Sequence, residues 1–221
     1  MSDRIGGFFL LLACIAVPII IVDYIITMSG FDGGVDATNA ERAAYAKQVY
    51  SKVAIGWTFE ILAVAFIATA SIIFMKRSSR AGWALAAIGA VTTLPMYPFM
   101  LGGYGEVLST ADPDVELFAI IRAMSNVSFL VGQGLMMLGF ALVLWIERHS
   151  ADRLFPRWAH LVGIAANTAA GVVLFLIYFD QMSSFVVGGM FALIGFAVMA
   201  LFGASAALPG VNKRPSVAEA A

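Results

Sequence analysis

Residues 53–80 read VAIGWTFEILAVAFIATASIIFMKRSSR, a long apolar run that ends in a compact basic turn and holds one carboxylate, Glu60, inside it. Val53 to Met75 is 23 residues, about 34 Å of helix at about 1.5 Å per residue, enough to cross a hydrocarbon core of about 30 Å with some tilt. The stretch is therefore predicted to span a membrane, and the turn holding Lys76, Arg77 and Arg80 fixes which end faces the cytoplasm.

Composition gives the same class. Hydrophobic residues make up 61% of the chain and charged residues 12%, with a mean hydropathy of +0.91, far outside the range of soluble domains. The lipid bilayer is the first partner. A net charge of −1 without a concentrated basic face argues against nucleic acid. The single cysteine, Cys14, excludes an intramolecular disulfide and any multi-cysteine zinc or iron–sulfur site. No cofactor is predicted.

Working outward, five more runs read as spans, giving approximate boundaries of 5–28, 53–75, 81–101, 118–146, 158–177 and 185–207. The fold class is all-α, a six-helix polytopic membrane bundle in one domain. The first run is too long for a signal peptide, since apolar sequence continues through Ile15 to Val22 after Cys14, and Pro18 is expected to free a backbone carbonyl. Thr38 with Glu41 three residues on suits a capping box, so a helix is expected to lead straight into span two. Pro95 and Pro98 should distort the outer end of span three. Residues 102–116 carry Glu106, Asp112, Asp114 and Glu116 without a Lys or Arg and read as an acidic outer loop. Pro156 suits the first turn of span five, and the tail 208–221 is expected to be disordered in the cytoplasm.

Orientation follows from basic residues on the two sides. Nine lie with the basic turns (Arg4, Lys76, Arg77, Arg80, Arg148, Arg153, Arg157, Lys213, Arg214) and four opposite (Arg42, Lys47, Lys52, Arg122), so both termini are predicted to be cytoplasmic and the protein to sit in a plasma membrane, the inner membrane of a bacterium. At Phe155-Pro156-Arg157-Trp158-Ala159, opening a glycine-bearing span five, the sequence resembles six-span bacterial integral membrane proteins of unknown function. That resemblance implies the architecture and no catalytic residues.

Polar groups inside spans are the best pointers to function, because a charge left in lipid costs about 2.5–3.5 kcal/mol even on permissive scales. Counting back from Met75, Glu60 lies about 22 Å up the helix, roughly 7 Å below the outer edge of the core. On span four Arg122, Asn126, Phe129 and Gln133 recur at i, i+4, i+7 and i+11 and share one face. Below them the stripe becomes Met136, Met137 and Phe140, which close it toward the cytoplasm. Asp23, Tyr97 with Thr93, and Asp180 lie at comparable depth. The leading expectation is an outward-facing polar pocket that binds or passes a small ligand, ion or proton, with Glu60 as its acidic element and Arg122, Asn126, Gln133, Asp23 and Tyr97 around it. Arg122 snorkelling into headgroups, Glu60 capping a neighbouring helix, and Asn126 and Gln133 acting as interhelical glue form the bland alternative. A second class of function is a non-transporting subunit or sensor that docks a partner membrane protein or another copy. An enzyme ranks third, because no constellation of catalytic groups is present. His149 and His160 flank the basic loop and are expected in solvent, too few for a metal or haem site. Gly163, Asn167 and Gly171, and Gly188, Gly189 and Gly195, are expected to let neighbouring helices approach closely.

Overall fold

The computed structural model describes residues 2–33, 36–77, 79–150, 154–179 and 185–208. These are 86% helical and contain no strand. The helices are α1 (Ser2–Met28), α2 (Asn39–Phe74), α3 (Arg80–Thr93), a short α4 (Met96–Pro98), α5 (Tyr104–Ser109), α6 (Val115–Glu147), α7 (Arg157–Tyr178) and α8 (Phe185–Ala207). A π-helical turn, Phe99–Gly103, joins α4 to α5. Six stretches are long and apolar enough to cross a membrane, with Arg80–Ser109 counted as one, which fits an integral membrane protein. The tail assigned to 208–221 lies, apart from Leu208, outside the described residues.

Local chemistry sets the ends of these helices. The Thr38 hydroxyl accepts from the Glu41 amide at 3.2 Å while the Glu41 carboxylate accepts from the Thr38 amide at 2.7 Å, so the capping box starts α2 well before its apolar run, as the sequence suggests. Ser79 caps α3 by accepting from the Gly82 amide at 3.0 Å, and Asp114 caps α6 by accepting from the Glu116 and Leu117 amides. One expectation needs correction. Residues 102–109 are not loop: the π turn after Pro98 absorbs the break made by the prolines, and the chain runs on helically to Ser109. The Leu101 carbonyl in that turn accepts a 2.6 Å hydrogen bond from the Tyr50 hydroxyl.

The spans close a ring in chain order: α1 packs on α2, α2 on α3, α3 on α6, α6 on α7, α7 on α8, and α8 back on α1. One end of the ring carries the basic turns and the other the acidic segment. Ile19, Ile26, Ile55, Phe59, Ile88 and Met190 are exposed on the outside, where hydrocarbon would meet them. Along α2 the buried residues Val53, Trp57, Glu60, Val64, Ile67, Ser71 and Phe74 alternate in steps of four and three, one seam facing the core.

Two of the crossings are too close for side chains. A methyl on Gly132 would lie 2.7 Å from the Thr93 amide nitrogen, and one on Gly82 would lie 2.8 Å from the Val143 amide nitrogen, so α3 and α6 meet backbone to backbone. Gly7 of α1 faces Gly203 and Ala207 of α8 in the same way, at 2.7 Å and 2.6 Å. Around Gly163 and Gly171 a methyl would meet Leu144 and Leu138, and at Gly195 it would meet Asn167, in keeping with the close packing expected there. Gly189 differs: its nearest neighbour would be Ile25 at 3.9 Å.

Candidate functional site

The two ends of the ring interior differ in chemistry. Toward the basic end an aromatic layer fills it: Phe74 stacks on Trp83 with centroids 5.0 Å apart, Phe202 meets both edge-on, Phe140 meets Trp83 edge-on, and Phe155 leans on Phe202. Met136, Met137 and Phe140 are buried beside it. This is the closure the lower part of the span-four stripe suggests.

Above that layer the polar residues gather. Glu60 is 6% exposed, held inward by its place on the α2 seam. Tyr97 is fully buried on α4, between the two prolines. Its hydroxyl lies close enough to Glu60 to interact with the carboxylate, yet the contact misses the geometry of a full hydrogen bond and the hydroxyl has no other partner. Gln133 of α6 is buried. Arg122 is half-buried one helix away, and its Nη1 is shielded from solvent without a hydrogen-bond partner.

Glu60 and Arg122 do not form an ion pair. The ion pairs among the described residues are Lys52 with Asp23, and Arg77 with Asp3 and Glu147. Two tyrosines lie near these charges, Tyr104 buried and Tyr24 41% exposed. Tyr24 lies within electrostatic range of both Glu60 and Arg122, and Tyr104 within range of Arg122 and Tyr24. The Tyr104 ring stacks on Phe118 at 4.8 Å and lies 6.3 Å from Trp57, so aromatic faces wall the region. Hydrogen bonds from the run-in of α2 tie it to the neighbouring segments: Tyr45 donates to the Thr27 carbonyl, and Lys47 to the Thr110 carbonyl.

Two other predicted members stand apart. Asp23 is exposed and makes a 3.3 Å ion pair with Lys52, both side chains about half-exposed. Asn126 is exposed on the outside of α6, although it shares a helical stripe with Gln133. The reason is helix length. Gly134 packs against Phe175, and Gly171 against Leu138, so α7, ending at Tyr178, stops near the level of residue 131. Asn126 therefore has no part of α7 beside it. Asp180 lies outside the described residues.

Tyr24 and Tyr104 were not singled out in the sequence, because a tyrosine near a span end is ordinary interfacial furniture. Only the fold turns them toward the charges. Ser125 and Thr27 are likewise buried with unpartnered hydroxyls.

At the basic end Arg77 donates through Nε to Glu147 at 3.3 Å and through Nη1 to Asp3 at 3.4 Å, tying the ends of α1, α2 and α6. His160 needs correction: it is fully buried, not solvated. The helix of span five already begins at Arg157, which turns His160 inward on the first turn, stacked on Phe155 at 4.0 Å with Nδ1 3.1 Å from the Pro156 carbonyl. His149 is exposed, and among the described residues no group of three potential metal ligands comes together. No family model, curated protein or solved structure matches this chain.

Proposed function

We propose that the chain is a multi-pass plasma-membrane protein, bacterial as its resemblance suggests, with its basic end in the cytoplasm and a binding site for a small polar ligand, ion or proton opening toward the other side. The observation that carries this reading is the set of unsatisfied groups above the aromatic layer. Among the described residues Glu60 has no cationic partner, the Tyr97 hydroxyl has no full hydrogen bond, and Arg122 Nη1 is buried without an acceptor. Leaving such groups unpaired in a low-dielectric interior is expensive, and a ligand offering a donor to Glu60 and an acceptor to Arg122 would relieve both. Binding from the outer side needs no rearrangement of the aromatic layer. Passage requires Phe74, Trp83 and Phe202 to part.

The test is mass spectrometry of small molecules retained by the gently purified protein, compared with Glu60→Gln and Arg122→Gln. A species kept by the wild type and lost from both variants is expected. An identical retained set in all three would overturn the site.

Asn126 favours a second reading, docking of another membrane protein or a second copy. Its amide is exposed on the outer half of α6 with no hydrogen-bond partner among the described residues, a poor arrangement against lipid and a good one at a helix interface. Cysteine at position 126 should then cross-link in membranes; a monomer-only pattern with no adduct counts against docking there.

A further inference from the structure

The basic end holds a recess that the site above does not use. It is a half-open cleft of about 190 Å³ lined by Arg148, His149, Arg157 and Leu161, where α6 ends and α7 begins. Among the described residues neither arginine has a carboxylate partner. Glu147, adjacent to Arg148 in sequence, turns the other way and is buried against Arg77.

The cleft is held in shape. The Arg148 guanidinium lies 4.5 Å over the Trp145 ring, and its Nε donates to His149 Nε2 at 3.2 Å. His149 Nδ1 in turn donates to the Trp145 carbonyl at 2.9 Å. That chain uses one edge of the guanidinium and leaves its Nη groups free for an acceptor. A planar guanidinium with a free fork suits the oxygens of a carboxylate or a phosphate, and phosphate is the group that every phospholipid headgroup carries.

Its depth identifies the source of the phosphate. Trp145, which lies under the Arg148 guanidinium, is 50% exposed, Trp158, next to Arg157 in sequence, is 67% exposed, and Leu161 is 50% exposed one turn further along α7. Half-exposed indoles at a span end mark the headgroup level, and an exposed leucine just below them faces the upper acyl chain. An anion held between the two arginines is therefore at the height of a lipid phosphate, with apolar surface continuing where acyl chains run.

We infer that Arg148, His149 and Arg157 form a binding site for the phosphate of an anionic phospholipid, with Trp145, Trp158 and Leu161 receiving its glycerol and upper acyl region. Free phosphate shares the headgroup chemistry but lacks the apolar contacts.

The full chain in neutral detergent would be titrated with phosphatidylglycerol and, separately, phosphatidylcholine, inorganic phosphate and glycerol 1-phosphate, with bound lipid counted by native mass spectrometry and unfolding followed thermally. Phosphatidylglycerol should bind at one saturable site and raise the midpoint. Arg148→Gln and Arg157→Gln should each weaken it about tenfold, the loss of one charge-assisted contact of about 1.4 kcal/mol. Arg80→Gln removes the same charge from an exposed position outside the cleft and should leave binding unchanged. Equal weakening by all three variants would reduce the effect to bulk charge and overturn the site. Saturation by inorganic phosphate or glycerol 1-phosphate at the same affinity would overturn the lipid as its source.

Discussion

Alanine at Gly132 tests the backbone-to-backbone crossing on which the ring depends. The new methyl would stand 2.7 Å from the Thr93 amide nitrogen and 2.8 Å from the Gly89 carbonyl oxygen, and neither atom can swing aside as a side chain can. Ordinary contact begins at 3.4 Å, so the helices must separate by about 3.4 − 2.7 = 0.7 Å. A radial gap of about 0.5–1 Å forfeits a quarter to a half of each dispersion contact it opens, and this seam includes Trp83, Ala86, Ala90, Met136, Phe140 and Val143, all buried. Overpacking typically costs about 1–3 kcal/mol, and backbone neighbours place Gly132→Ala at about 2–3 kcal/mol. The intrinsic helix gain of alanine over glycine, about 0.5–1 kcal/mol, is too small to offset that. Gly189→Ala is the matched control, with its nearest neighbour at 3.9 Å and an expected change within about 1 kcal/mol in the stabilising direction. Unfolding of both variants would be followed in one bicelle composition. If Gly132→Ala proved as stable as Gly189→Ala, α3 and α6 would not be in the contact described.

Three further outcomes are expected. Arg77→Gln should destabilise by about 3 kcal/mol because it strands the buried Glu147 carboxylate, while Arg77→Gln with Glu147→Gln should recover most of the loss; additive effects in thermal unfolding would mean the two do not act as a pair. Thr38→Ala should cost about 0.5–2 kcal/mol at the start of α2, seen as faster hydrogen exchange over residues 39–42 with no change beyond Val53; uniform protection throughout would show that the capping box contributes nothing. Cysteines placed at 76 and 110 should react oppositely with an impermeant thiol reagent in intact cells, 110 labelling and 76 not, with buried Cys14 silent; the reverse pattern would invert the topology.

The sequence made some of this legible through simple geometry and left the rest to packing. Apolar length announced six long apolar helices, and counting back from Met75 set Glu60 inside the second of them, but which face of that helix turns inward came only with the packing of Trp57, Glu60 and Val64. Thr38 and Glu41 announced the early start of α2 because a capping box is a local device. Residues 102–109 were misjudged because Gly102, Gly103 and the nearby acids have the composition of a loop; a π turn after Pro98 depends on what the chain packs against, here Tyr50 and Ile121. Asn126 was placed with Gln133 because a helical stripe takes no account of how far the neighbouring helix extends. His160 was read as loop because the first turn of α7 lies within a basic run. The α1 to α8 contact had no local signal at all, since Gly7 and Gly203 are far apart in sequence and each is only one small residue in an apolar run.

That last contact has a consequence for how the protein is made. Every other seam of the ring joins helices that leave the ribosome one after the other, so each finds its partner already waiting or next in line. The surface of α1 holding Gly7 and Leu11 must remain against lipid until α8 arrives, about 196 residues later by the spacing of Gly7 and Gly203. Until then the nascent bundle is an open crescent with two unlatched edges, and the aromatic layer lacks Phe196 and Phe202. Joining these edges is the single long-range step of assembly, and a ribosome stalled before α8 would leave the crescent open as a target for membrane quality control.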